Sequence, residues 1–213
     1  MPDSGDRQAE IVHAALDLLD ERGLGGLTLR AIAARLGVQL NTVTWHVHSK
    51  ARLLELVADA ILADVSLVDL PGQWNSRIRE LAHRYRAALL RRRDGAALVI
   101  GTNAAMPHTL DVAEAFVSCL LEAGFSEQDS AWTCWTIAYF ALGLTEEQQR
   151  TSGTESGVIT MAVSPTPYPA LSRVLLHLAD FRFDARFDFG LDLIINGLLH
   201  RAPTEPSESN GGD

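Results

Sequence analysis

Four side chains within six residues, Gln39, Asn41, Thr42 and Thr44, carry amides and hydroxyls on short stems. The chemistry they suit is hydrogen bonding to base edges and phosphate oxygens in a major groove, not the making or breaking of bonds. Leu40 interrupts the run and has two readings, contact with a thymine methyl or inward packing. Arg30 and Lys50 flank it, where they could clamp phosphates or stand as solvated surface charge. Catalytic patterns are missing: there is no GxSxG elbow, no glycine-rich phosphate loop, no HExxH and no Cys/His pairing at helical spacing. His83 and His108 stand alone, without a carboxylate or cysteine at ligand spacing, so no metal and no cofactor are expected. An enzyme is therefore not predicted. The alternative is an all-α small-molecule-binding protein or enzyme without any DNA-dependent function.

Presenting such a run to a groove requires a rigid mount. Apolar Ile11, Val12, Ala15, Leu16, Leu18 and Leu19 line one face of a helix over 7–22, and Gly23 supplies its stop. Thr28 can cap a second, short helix that ends at Gly37, and a third fits Gln39 to His46. Ala33, Gly37 and Val43 have the types and spacing of a helix-turn-helix: a small residue at the helix contact, a glycine in the turn, a branched residue inside. A longer helix over 50–66 follows, and Pro71-Gly72 marks the passage to a second unit.

The net charge of −9 counts against nucleic acid, but charge is segregated. From Arg22 to Leu54 there are Arg22, Arg30, Arg35, Lys50 and Arg52 with no Asp or Glu, a local cationic footprint in an acidic protein.

Beyond Pro71 the periodicity predicts helices over 74–93, 110–123, 128–149, 170–179 and 187–201, and no strand. Residues 151–169, rich in Ser, Thr, Gly and Pro, read as a mobile loop, and 202–213 as a disordered tail. The run Arg84, Arg86, Arg91, Arg92, Arg93 reads as a solvated helix face. Cys119 and Cys134 read as small core residues in a reducing compartment. No run is long and apolar enough for a membrane span and no secretory signal is visible, so the cytoplasm is expected.

The run Leu27-Thr28-Leu29-Arg30, Ala33, Leu36-Gly37-Val38 and Asn41-Thr42-Val43-Thr44-Trp45-His46-Val47-His48-Ser49-Lys50 resembles the DNA-binding domain of the tetracycline repressor (TetR) family. The resemblance continues through Tyr85-Arg86-Ala87-Ala88-Leu89-Leu90, Arg93-Asp94-Gly95-Ala96, Gly101-Thr102, Gly124-Phe125-Ser126, Phe140-Ala141-Leu142-Gly143, Phe189-Gly190-Leu191 and Gly197-Leu198, and is weakest over 150–170. It implies an all-α chain: a three-helix helix-turn-helix DNA-binding domain over 1–49, then a larger helical effector-binding and dimerisation domain over 50–201, of which 50–66 is the connecting helix. It also implies DNA contacts at Thr28, Arg30, Gln39, Leu40, Asn41, Thr42, Thr44, Trp45, His46 and Lys50. Trp45 keeps a second reading, packing of its indole against the head.

By the same resemblance, helices 128–149 and 187–201 pair two subunits through a four-helix bundle, with Gly190, Leu191, Ile194, Ile195, Gly197 and Leu198 as its seam or as ordinary core. A homodimer follows on physical grounds too, since one small head reads too few base pairs and a two-fold dimer reads a palindrome. The partners expected are a palindromic double-stranded DNA operator and a small-molecule effector whose binding releases it, the mode of a transcription repressor. In the effector pocket Val99 stands where the family's namesake ligates magnesium through histidine, Leu81 replaces a drug-gripping asparagine and Phe116 a glutamine, while Thr102 and Glu147 match. Tyr85, Val99, Thr102, Asn103, Met106, Phe116, Cys119, Trp132, Trp135 and Tyr139 are then expected to line a pocket for a hydrophobic or planar molecule.

Overall fold

A computed structural model describes residues 4–102, 105–151 and 155–201, and among them the chain is helical with no strand. The order is α1 (Ser4–Gly26), α2 (Leu29–Leu36), α3 (Leu40–Val47), α4 (Lys50–Leu62), α5 (Trp74–Leu90), α6 (Gly95–Ile100), α7 (Pro107–Glu122), α8 (Glu127–Arg150), α9 (Glu155–Ala162), α10 (Pro169–Leu178) and α11 (Phe183–Leu199).

The head is built from local signals. Gly23 kinks α1 at φ 70 and ψ −179, a backbone region open essentially to glycine, leaving one last turn to Gly26. The Thr28 hydroxyl caps α2 by accepting from the Ala31 amide, and Gly37 closes it in the left-handed conformation, its amide donating to Ala33 and Ala34 carbonyls. Ser49 caps α4 in the same manner as Thr28 caps α2, accepting from the Arg52 amide. Ile11, Ala15, Leu18 and Leu19 from α1, Leu27, Ile32 from α2, Val43 and Val47 from α3 and Leu53 from α4 are all buried, which joins the four helices in one core.

The connecting helix α4 packs on α1 and α3 on one side and on α5, α6 and α7 on the other. Its buried Asp59 accepts from both the amide (2.9 Å) and the hydroxyl (3.0 Å) of Thr109, pinning the first turn of α7. In the body, α8 packs on α5, α6, α7 and α11 through Ser130, Thr133, Ile137, Ala141, Leu144 and Thr145. A row of cross-links fastens α5 to α11: Arg79 to Asp192, His83 Nε2 to Asp188 at 3.1 Å and Arg86 to Asp184 at 2.8 Å.

Several expectations need correcting. Helix α9 occupies Glu155–Ala162, inside the stretch read as a loop, where Ser, Gly and Thr masked its register. The six residues of α6 were not anticipated, because Gly95–Ile100 is too short and too uniformly apolar for a period to show. Helix α4 ends at Leu62 and α5 at Leu90, each earlier than expected, whereas α7 starts earlier, with Pro107 in its first turn. The arginine run is only in part a solvated face, since Arg91 and Arg93 are exposed but the others are engaged. Arg86 is buried beneath the Phe187 ring, Arg92 pairs with Asp20 at 2.7 Å, and Arg84 donates to the Ser66 and Val68 carbonyls. Likewise His83 does have a carboxylate, brought to it by α11 rather than by local spacing. The expected tail over 202–213 lies outside the described residues. Among the described residues no helix is long and apolar enough to cross a membrane.

Candidate nucleic-acid interface

Helix α3 is amphipathic in a simple way. Val43 and Val47 are fully buried, so the positions out of phase with them, Asn41, Thr44, Trp45 and His48, share the outer face at i, i+3, i+4 and i+7 spacing. These four line a surface groove of about 350 Å³. Trp45 is 76 % exposed, which excludes packing of its indole in this chain's head. Gln39 and Asn41 are exposed, Thr42 and Thr44 half-buried, and Leu40, the first residue of the helix, half-buried. The Thr44 hydroxyl spends its proton on the Leu40 carbonyl at 3.1 Å and keeps lone pairs to accept. Thr28, by contrast, already accepts from Ala31 and keeps its proton to donate. His46 is half-buried, and its carbonyl is tied down by the Gln8 amide at 3.1 Å, which braces α3 against α1.

The cationic window divides into two. Arg35 forms a fork on Glu21 at 2.5 and 2.8 Å and approaches Asp17 at 3.8 Å, so the Glu21 carboxyl is held below its usual range and Arg35 above its own. Arg52 pairs with Glu55 at 2.9 Å and also reaches the Met106 sulfur. Arg30 and Lys50 are exposed and have no partner among the described residues, which leaves them available to phosphates. The sequence window began one residue after Glu21 and so missed the carboxylates α1 turns toward Arg35.

Of the ten residues expected around an effector, nine are described, and they differ in burial. Tyr85, Phe116 and Cys119 are buried, and Val99 and Thr102 are half-buried at the end of α6. Met106, half-buried, is held by Arg52. Trp132, Trp135 and Tyr139 depart from the expectation: they are 63, 59 and 64 % exposed, on the face of α8 opposite Thr133, Ile137 and Ala141. Asn103 lies outside the described residues. Burial pushes the Tyr85 hydroxyl well above its usual range, and likewise the Cys119 and Cys134 thiols. The Cys119 thiol donates to the Trp74 carbonyl at 3.6 Å and borders a separate groove of about 530 Å³ with Gln73, Arg77 and Glu122. Glu147 is exposed and paired with Arg186 at 3.1 Å. Among the described residues no cluster of three or more His, Cys, Asp or Glu could hold a metal ion.

The seam foreseen on α11 is turned differently. Leu191, Ile195 and Leu198 are buried within the chain, and Gly190 lies so close to the Phe140 ring that a Cβ would stand 2.3 Å from it. Phe189 and Leu193 instead point outward, 67 and 60 % exposed, in line with the open Gly197.

Comparison with known proteins finds two family matches along the chain. Residues 11–57 match the model of bacterial regulatory proteins of the tetR family, and 69–202 match the tetracyclin repressor-like C-terminal domain. The tetracycline repressor protein class A from transposon 1721 of Escherichia coli is 37 % identical over 195 residues, 90 % of this chain and 89 % of that protein. A crystal structure of a possible TetR family transcriptional regulator from Streptomyces coelicolor A3(2) has a TM-score of 0.82 at 36 % identity, covering 91 % of this chain and 99 % of that one. The Streptomyces coelicolor TetR family protein ActR, in complex with actinorhodin, has a TM-score of 0.83 at 27 % identity, covering 92 % and 96 %. A polar α3 face on a capped head, a helical body behind it and matches spanning both leave one conclusion: this chain belongs to the tetR family of bacterial regulatory proteins and is a DNA-binding transcriptional regulator.

Proposed function

We propose that this regulator is a homodimeric repressor that holds a palindromic operator through two α3 helices and releases it when a small, largely hydrophobic effector binds its body. The observation that carries the reading is the pairing of two unsatisfied surfaces. One is the polar groove of Asn41, Thr44, Trp45 and His48 with the free cations Arg30 and Lys50 beside it. The other is the aromatic stripe of Trp132, Trp135 and Tyr139 on α8 beside Phe189 and Leu193 on α11, apolar area of a kind that monomers rarely leave in water. On this reading Trp132, Trp135 and Tyr139 belong to the subunit seam. The effector lies nearer Tyr85, Val99, Thr102, Met106 and Phe116, with domains divided near residue 50. Apolar Leu81, Val99 and Phe116 favour a planar, weakly polar molecule over a metal chelate, and ActR, a related protein, is known in complex with actinorhodin.

The test is selection of bound duplexes from a random pool with the purified chain, then titration of the enriched duplex with and without planar aromatic compounds. A two-fold symmetric winner released by such a compound is the expected result. Enrichment of nothing, or binding indifferent to every effector and to salt, would count against it.

A further inference from the structure

We propose that His48 is a further duplex-contacting residue, presented to the DNA by a strained turn that the head maintains for that purpose. This rests on α3 being the reading helix. His48 follows the last residue of α3, with φ 59 and ψ −43, outside the left-handed helical region that histidine visits in ordinary turns. The Ser49 amide donates to the Val47 carbonyl at 2.6 Å across it, closing a three-residue γ-turn of the rare positive-φ kind, which is strained for any residue with a Cβ. The same head fills its other positive-φ positions with glycine, at Gly23 (φ 70) and Gly37 (φ 65), where no side chain is needed. A glycine would serve the 47–49 turn equally well, so folding does not explain the imidazole there.

Position explains it. The turn continues the outer stripe of α3 by one more step, so the exposed imidazole lines the groove with Asn41, Thr44 and Trp45. It has no hydrogen-bond or ion-pair partner within the described residues. An imidazole N–H placed there can donate to an acceptor of the duplex, next to the ammonium of Lys50. Strain kept at an exposed residue without internal partners is what a binding role leaves behind.

The experiment uses the purified full chain and a duplex enriched by it from a random pool, comparing wild type with His48→Gly, His48→Asn and Asn41→Ala in gel-shift titrations and thermal unfolding. Both His48 variants should weaken binding by about tenfold, the loss of one hydrogen bond to a charged or strongly polar acceptor. His48→Gly should do so with a Tm equal to or above wild type, because it relieves the turn. Wild-type affinity in either His48 variant, with Asn41→Ala still weakened, overturns the proposal and leaves α3 as the reader. A lower Tm for His48→Gly assigns the residue to folding and also overturns it. If Asn41→Ala binds as wild type, or no duplex is enriched, α3 is not the reading element and both readings fall together.

Discussion

The amide of Leu24 donates to the carboxylate of Asp94 at 2.8 Å, across seventy residues of sequence, and so ties the end of α1 to the start of α6. Around it Asp20 accepts from the Arg93 amide at 3.1 Å and from the Arg92 guanidinium, and Arg93 donates to the Glu21 carbonyl at 3.2 Å. Head and body are thus joined at a second point besides α4. Removing the carboxylate with Asp94→Ala leaves a half-buried amide without its charged acceptor and is expected to destabilise the chain by about 1.5–3 kcal/mol. Denaturant unfolding measures it, and Asp94→Asn, which keeps an acceptor, should lose less.

Gly23 stands against that same carboxylate. A Cβ there would lie 2.6 Å from Asp94 Oδ2 in a backbone region that side chains avoid, whereas a Cβ at Gly37 would meet nothing within 4 Å. Gly37→Ala should therefore cost only the left-handed penalty, about 1–2 kcal/mol, and Gly23→Ala distinctly more. Equal losses in thermal unfolding would contradict the close approach.

Arg86 and Asp184 form an unequal pair. The arginine side chain is 7 % exposed beneath the Phe187 ring and also donates to Gln148, while the aspartate is 84 % exposed. Asp184→Ala should cost less than about 1 kcal/mol, as exposed ion pairs do. Arg86→Ala should cost about 2–3 kcal/mol through lost packing and an emptied site over Phe187. Unfolding of the two variants side by side decides the matter.

The aromatic stripe on α8 should govern assembly. Trp135→Glu is expected to convert a dimer into a monomer in sedimentation or light scattering, with the helical spectrum unchanged, because the exposed indole stacks on Tyr139 alone among the described residues. A variant that remains dimeric would place the seam elsewhere.

What was legible in the sequence was whatever is encoded locally. Thr28, Gly37 and Gly23 announce their helix ends through cap and backbone chemistry, and the head emerged nearly whole. The apolar period of α11 was visible, but not which neighbour it faces: Leu191, Ile195 and Leu198 turn inward, and only three dimensions show Phe189 and Leu193 outside. His48 escaped because the recognition helix seemed to end at His46, one step short of the i+7 position. The arginines near 84–93 looked solvated because Asp20, Asp64 and Asp184, their partners, are remote in sequence.

The Asp59 carboxylate makes α4 a lever. Bound to both polar groups of Thr109, it fixes the fulcrum at the opening turn of α7, and the helix extends nine residues from there to Lys50, about 14 Å. A tilt of about 5° at that fulcrum displaces the head end by about 1 Å. A hydrogen-bonded pivot of this kind passes on small movements of α7 without slack, whereas apolar packing alone would let the helices slide. One carboxylate thus anchors α4 to the body, while the Leu24–Asp94 bond holds the head at a separate point.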